Sequence, residues 1–146
     1  MTSQPSSPPW TDEKLPNEPI TIWTPYEGWN WVRDTPLSQT VLRKIWNESD
    51  EQMFHIANVL NIKVNLDDLI FASANVAYGE NALFDHPKLK STIVVTKDPM
   101  ITLAIGNMID AMKRNTGVYV QVPLMLMDSL EKALDYAREQ RKSSAT

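Results

Sequence analysis

Residues 92–114 read TIVVTKDPMITLAIGNMIDAMKR, and this stretch decides the fold. Thr92-Ile-Val-Val-Thr96 is a continuous β-branched run, the pattern of a strand covered on both faces. Asp98-Pro99 supplies a helix cap with proline at the first helical position. Ile101, Ala104, Ile105, Met108, Ile109 and Met112 then recur at spacings of three and four, and Lys113-Arg114 closes the helix before Asn115-Thr-Gly117. A doubly covered strand feeding an amphipathic helix is the building unit of an α/β sheet.

Working outward, the same alternation continues on both sides. Downstream, Val118 to Val122 alternates as a strand, with Pro123 kinking it before Leu124 to Met127. Asp128-Ser-Leu-Glu131 has capping-box spacing with Asp128 in the capping role, and the last helix turns Leu130, Ala133, Leu134 and Ala137 inward. Upstream, Glu80 to Lys90, with the turn-forming His86-Pro87, connects to Met53–Leu60, a strand apolar apart from His55 and Asn58. Between these strands Asn65 caps a helix whose first turn holds Asp67 and Asp68, where the dipole favours negative charge. Leu66, Leu69, Ile70, Ala74 and Ala77 share its inner face, and Gly79 stops it. Thr35-Pro36 starts an earlier helix, with Leu37, Val41, Leu42 and Ile45 on one face and an end near Asn47 to Ser49. At the front, Ile20–Thr24, the turn Pro25-Tyr-Glu-Gly28 and the run Trp29–Val32 read as a β-hairpin.

The expected architecture is α/β: a mixed sheet opening with an antiparallel hairpin, in the order β-β-α-β-α-β-α-β-α, with parallel pairing through crossovers in the second half. One domain spans residues 20–140. Residues 1–19 hold five prolines among Ser, Gln, Glu and Asn and read as a flexible extended arm; residues 141–146 read as a short disordered tail. Trp10 is out of place in such an arm, and it either folds back onto the domain or anchors a partner.

A chain of 146 residues with 42% apolar residues can bury a core. The formal net charge of -4 offers no basic stripe for nucleic acid, and the Arg138, Arg141 and Lys142 cluster complements a helix C-terminus. Cysteine is absent, which excludes disulfides and fits a reducing compartment. No apolar stretch approaches the roughly 20 residues that cross a bilayer, and the opening Met1-Thr-Ser-Gln-Pro5 does not read as a secretory signal. The expected location is the cytoplasm.

Reactive side chains are scarce. The turns Asn61–Asn65, Lys97–Pro99 and Asp128-Ser129 contain no glycine through which backbone amides could approach a phosphate. Asp98 and Asp128 could recruit magnesium in principle, but each is explained as a helix cap worth about 1 kcal/mol. His55 stands alone in an apolar strand, and His86 is explained by its turn; neither joins a triad. No metal, cofactor or catalytic residue is therefore expected. Trp10, Trp23, Trp29, Trp31 and Trp46 crowd the first third of the chain. Trp29 and Trp31 would share one sheet face and meet Trp23 across the hairpin, as an aromatic cluster or an interface. On the Asp98 helix, Met100 and Leu103 widen the apolar surface beyond what one sheet face needs, with Gly106 nearby. Burial by neighbouring elements or self-association through that flank would account for it.

The hairpin-first order, the Phe54–Leu60 strand running into a cap at Asn65, Asp85-His-Pro-Lys-Leu89 before the Thr92 strand, and the ending Leu124-Met-Leu-Met-Asp-Ser-Leu-Glu-Lys-Ala-Leu134 together resemble the STAS-domain superfamily, the fold of anti-sigma-factor antagonists, and its SpoIIAA-like relatives in particular. The resemblance covers about residues 20–140. It implies a module that docks a partner through the start of the helix after the central strand, where antagonists carry a phosphorylatable serine. The matching stretch, Asn61–Asp68, has no serine or threonine, so this chain resembles a divergent member without the phosphoswitch; Asp67 and Asp68 stand there as fixed charge. The function expected is non-catalytic protein binding to a partner or to itself, with Asn61, Lys63, Asn65, Asp67, Asp68, Trp10, Met100 and Leu103 as contact positions. Two other roles are open: an accessory subunit of a larger assembly anchored by its N-terminal arm, and a nucleotide or lipid binder using a pocket near Lys97, Asp98 and Asp128.

Overall fold

The computed structural model describes residues 8–68, 86–114 and 122–144. Among them are strands β1 (Trp10–Lys14), β2 (Ile20–Pro25), β3 (Met53–Asn58), β4 (Leu89–Val95) and β5 (Leu124–Met127). The long helices are α1 (Trp31–Asn47), α2 (Pro99–Arg114) and α3 (Leu130–Ser144), and residues 66–68 are also helical. The five strands form one mixed sheet in the order β1-β2-β3-β4-β5. β1 is antiparallel to β2, and every other pairing is parallel.

Strand alternation divides the sheet into two dry faces. Trp23, Met53, Ala57, Val94 and Leu124 point to one side, where they meet Leu42 and Trp46 of α1 and Ile101 and Met108 of α2. Ile20, Ile22, Phe54, Ile56, Ile93 and Val95 point to the other, against α3. Ala133 and Ala137 lie fully buried there, small enough to bring that helix close to the sheet. Ile20–Pro25, Met53–Asn58 and Ser91–Val95 are buried at every position, which is why they read as near-continuous apolar runs.

Several polar groups inside this core are paired across elements. The fully buried Trp46 donates from Nε1 to the Thr21 hydroxyl at 3.0 Å, and that hydroxyl bonds His55 Nδ1 at 2.9 Å. The Trp46 ring stands edge-on to His55, with centroids 5.1 Å apart, and 5.5 Å from the His86 ring. Burial alone pushes the His55 imidazole down to about 3, so it is neutral in the fold. Backbone N–H of Lys88 donates to His86 Nδ1, so the other ring nitrogen carries the proton and donates to Asn47 Oδ1 at 2.7 Å. Both histidines are thus hydrogen-bonded parts of the core.

The front of the chain departs from expectation. The hairpin exists, but β2 pairs with residues 10–14 and not with Trp29–Val32. Residues 10–14 of the expected flexible arm are therefore a sheet strand. The turn that makes it possible is Leu15-Pro-Asn-Glu18: Pro16 presets one backbone angle, Asn17 takes φ 62, and Glu18 N–H returns to Leu15 O at 3.3 Å. Asp12 on β1 accepts hydrogen bonds from Ser38 Oγ at 2.8 Å and Trp10 Nε1 at 2.9 Å, docking the strand onto α1. Burial nevertheless pushes its carboxyl up, against the opposing pull of those two donors.

Helix α1 starts four residues before the expected cap. Asn30 accepts from Arg33 N–H at 2.8 Å, while Asp34 takes Asn30 N–H at 2.9 Å, a reciprocal closure of the first turn. The Arg33 guanidinium holds the Asp34 carboxyl below its usual range, opposing its desolvation. Pro36 sits inside the helix; the bond it cannot donate would have gone to the carbonyl of the exposed Val32 in the first turn. The inward stripe becomes Asp34, Thr35, Ser38, Leu42 and Trp46, and the expected inner positions Leu37 and Val41 are exposed.

Smaller shifts occur at the other end. β5 lies wholly after Pro123, whereas positions 118–121 of the expected strand fall outside the described residues, as do most of the helix begun at Asn65 and its stop at Gly79. The cap of α3 is Ser129, whose Oγ accepts from Lys132 N–H at 3.1 Å; Asp128, one position too early, pairs instead with Lys132 Nζ at 2.8 Å. Helix α3 continues through Ser144, so residues 141–144 are not tail. Its basic cluster reaches back to the hairpin: Arg138 grips Glu18 through two bonds, and Arg141 bonds Asn17 O and Glu51. Among the described residues, no helix is long and apolar enough to cross a membrane.

Candidate functional site

The carboxyl ends of parallel strands are where α/β sheets open toward ligands and partners. At the ends of β2 and β3 the chain leaves through two loops, residues 26–30 and 59–65, and a cleft of about 460 Å³ lies between them. One wall is the segment Tyr26 to Trp29 with Trp31 from the start of α1; the other is Asn61 to Lys63 with Asp68.

The first wall follows from a tight turn. Trp29 N–H returns to Tyr26 O at 3.0 Å with Gly28 at φ 97, a value that favours glycine because it has no Cβ. Tyr26 N–H is held by Pro9 O at 2.8 Å, so the chain before β1 braces the turn from behind. Trp29 then becomes the hub of an aromatic cluster. Its ring meets Trp10 at 5.3 Å, Trp23 at 5.0 Å and Trp31 at 5.7 Å, every contact edge-on, and Trp23 also meets Trp31 at 5.9 Å. Edge-to-face pairs contribute about 0.5–1.5 kcal/mol each beyond area burial. The Nε1 donors of Trp23 and Trp29 are buried and have no acceptor among the described residues. The Trp29 and Trp31 planes stand at 89°, forming a corner that fronts the cleft.

The second wall is closed by a capping box. Asn65 Oδ1 accepts Asp68 N–H at 2.8 Å, and Asp68 Oδ2 accepts Asn65 N–H at 3.2 Å. Asn65 is therefore the cap it was expected to be. Asn61 and Lys63 are exposed on the loop before it. Among the described residues, neither Glu27, Lys63 nor Asp68 is in an ion pair.

Of the expected contact positions, the structure brings Asn61, Lys63 and Asp68 into the cleft. Asn65 and Asp67 are exposed beside it, and Trp10 stands behind it against Trp29, the folded-back alternative. Met100 and Leu103 remain 42% and 67% exposed on α2 and do not line it; α3, one element expected to cover them, packs on the opposite sheet face. A Cβ added at Gly106 would meet nothing within 4 Å among the described residues beyond its own helix. Sequence reasoning missed Tyr26, Glu27 and Gly28 as site residues and put Trp29 and Trp31 on a strand. The signal that finds them is Asn30: read as the helix cap, it turns residues 26–30 into a strand-to-helix loop containing a glycine.

A second, more open depression of about 470 Å³ lies at the ends of β4 and β5, lined by Thr96, Thr102, Leu126, Met127, Asp128 and Lys132. Its aspartate, Asp128, and Asp98 at the start of α2 are already engaged. Asp98 caps α2 through Met100 N–H at 2.8 Å, and the Lys132 ammonium holds the Asp128 carboxyl below its usual range. No group of three or more His, Asp or Glu that could hold a metal ion occurs among the described residues. Comparison with protein-family models, with curated proteins and with solved structures finds no match to this chain.

Proposed function

We propose that this chain is a non-catalytic protein-interaction module with a STAS-like fold, working in the cytoplasm and docking a partner through the cleft between residues 26–31 and 61–68. The observation that carries the reading is the convergence on one cleft of a tryptophan corner and unpaired charged side chains. Tryptophans that are already packed on one side lose little entropy on binding, which is why they recur as interface hot spots. The resemblance to anti-sigma-factor antagonists points to the same stretch, since there the docking surface is the start of the helix after the central strand. In this chain the charge at that helix is fixed by Asp67 and Asp68 and is not switched by phosphorylation.

Glu27 is the position to test, because it is exposed and makes no hydrogen bond or ion pair among the described residues that folding would miss. Glu27→Lys, alone and with Trp31→Ala, is expected to reduce recovery of a co-purifying protein at least tenfold, while the thermal midpoint of the single variant stays within a degree or two. Equal recovery by wild type and both variants would remove the cleft from the docking surface.

A further inference from the structure

The cleft has a chemical bias that narrows what it can receive. Among the described residues, two carboxylates, Glu27 and Asp68, share it with one cation, Lys63, beside the Trp29–Trp31 corner and the ring of Tyr26. The helix starts on either side already hold carboxylates of their own. At the first, Asp34 accepts Asn30 N–H and Asn30 accepts Arg33 N–H; at the second, Asn65 and Asp68 satisfy each other. A phosphate or carboxylate entering here would meet like charge. An organic cation would meet a π face and carboxylates together.

Resting on the docking role proposed above, we infer that the cleft takes an arginine side chain of the partner. Guanidinium is favoured over the other cations by the combination of walls. It is planar and weakly hydrated, so it stacks on an indole, and its remaining N–H groups pair with a carboxylate edge-on. A quaternary ammonium would satisfy the aromatic corner but has no N–H for Glu27 or Asp68. The chain's formal net charge of -4 draws a basic segment toward the surface in the same sense. Lys63, the one cation lining the cleft among the described residues, opposes the arginine and sets the strength of binding.

The test uses the full chain and synthetic peptides of one sequence with a central arginine, lysine or citrulline, with tetramethylammonium as a fourth probe. Binding is followed by the shifts of the Trp29 and Trp31 indole N–H resonances at millimolar probe. The arginine peptide is expected to saturate, with lysine several-fold weaker and citrulline at least tenfold weaker. Glu27→Gln is expected to weaken the arginine peptide three- to tenfold, and Lys63→Met to strengthen it by a similar factor, as opposite signs of one charge term. Citrulline binding as well as arginine, tetramethylammonium binding better, or Lys63→Met weakening the complex would each overturn the inference. If those results came while Glu27→Lys still abolished partner recovery, the docking role would stand and only the arginine would fall. A variant that lost its dispersed amide spectrum is replaced by Glu27→Ala, since Glu27 is exposed and makes no hydrogen bond or ion pair among the described residues.

Discussion

At the scale of single residues, the core is organised around a histidine that cannot be charged. His55 is sealed under Trp46, with its neutral form held by the Thr21 hydroxyl. Burial lowers its affinity for a proton from an ordinary value of 6.5 to about 3. The unfolded chain therefore binds a proton below about pH 6.5 that the native chain refuses until about pH 3. Above the upper value the two states are equal; as pH falls through the window, stability is lost at up to about 1.4 kcal/mol per pH unit. Urea midpoints measured between pH 7.5 and 5 should fall accordingly in the wild type, and the slope should flatten in His55→Gln even though that variant starts lower. A parallel slope in the variant would place the titration elsewhere. Trp46→Phe isolates the neighbouring bond: the ring volume is largely kept but Thr21 loses its donor, with an expected cost of about 1–3 kcal/mol in urea denaturation. The sequence marked His55 as a hydrogen-bonded core residue because no second ligand stood at metal spacing. Its partners could not be read, since Thr21 and Trp46 come from elements far apart in the chain.

At the scale of elements, caps decide where helices begin, and a one-residue ambiguity changes the assignment. Asp98 was readable as a cap because Pro99 follows it and leaves one register. In Asp128-Ser129 both residues are good caps, and the strand register settles the matter: β5 ends at Met127, which places Ser129 where its oxygen meets Lys132 N–H. Ser129→Ala should therefore cost about 1 kcal/mol in thermal or urea unfolding, as should Asp98→Ala, whereas Asp128→Ala should leave stability close to unchanged. The reverse order for Ser129 and Asp128 would restore the aspartate to the cap. The misreading of α1 has the same origin with a larger consequence. Thr35-Pro36 is a sound local start signal, but Asn30 and Asp34 close an earlier turn, and Trp31 is drawn into the aromatic cluster. Local propensity lost to packing, and with it the loop that builds one wall of the cleft was hidden. The parallel strands were legible for the opposite reason: each is buried on both faces, so its composition declares it without help from neighbours.

At the scale of the whole molecule, the consecutive order of β2, β3, β4 and β5 gathers the strand-to-helix loops at one edge of the sheet, while β1 closes the far side of β2 and carries Trp10 up behind the cleft. The front strand is therefore part of the site's foundation, and this changes how the two roles for the N-terminal arm are told apart. Removing residues 1–15 would strip Asp12 from Ser38, Trp10 from Trp29 and the Pro9 carbonyl from Tyr26, together with an entire strand ladder. That deletion is expected to lower the thermal midpoint by 10 °C or more, roughly the effect of a few kcal/mol in a chain of this size. Loss of binding after it would say nothing about an anchor. The informative deletion stops at residue 7, ahead of the Pro9, Trp10 and Asp12 contacts that hold β1. With that shorter cut, a module that docks through its cleft keeps both its midpoint and its partner, and then loses the partner to Glu27→Lys. An accessory subunit held by its arm shows the converse, releasing the partner on deletion and tolerating the change at Glu27. Measuring recovery and melting together for these two variants assigns the interaction to one end of the molecule or the other.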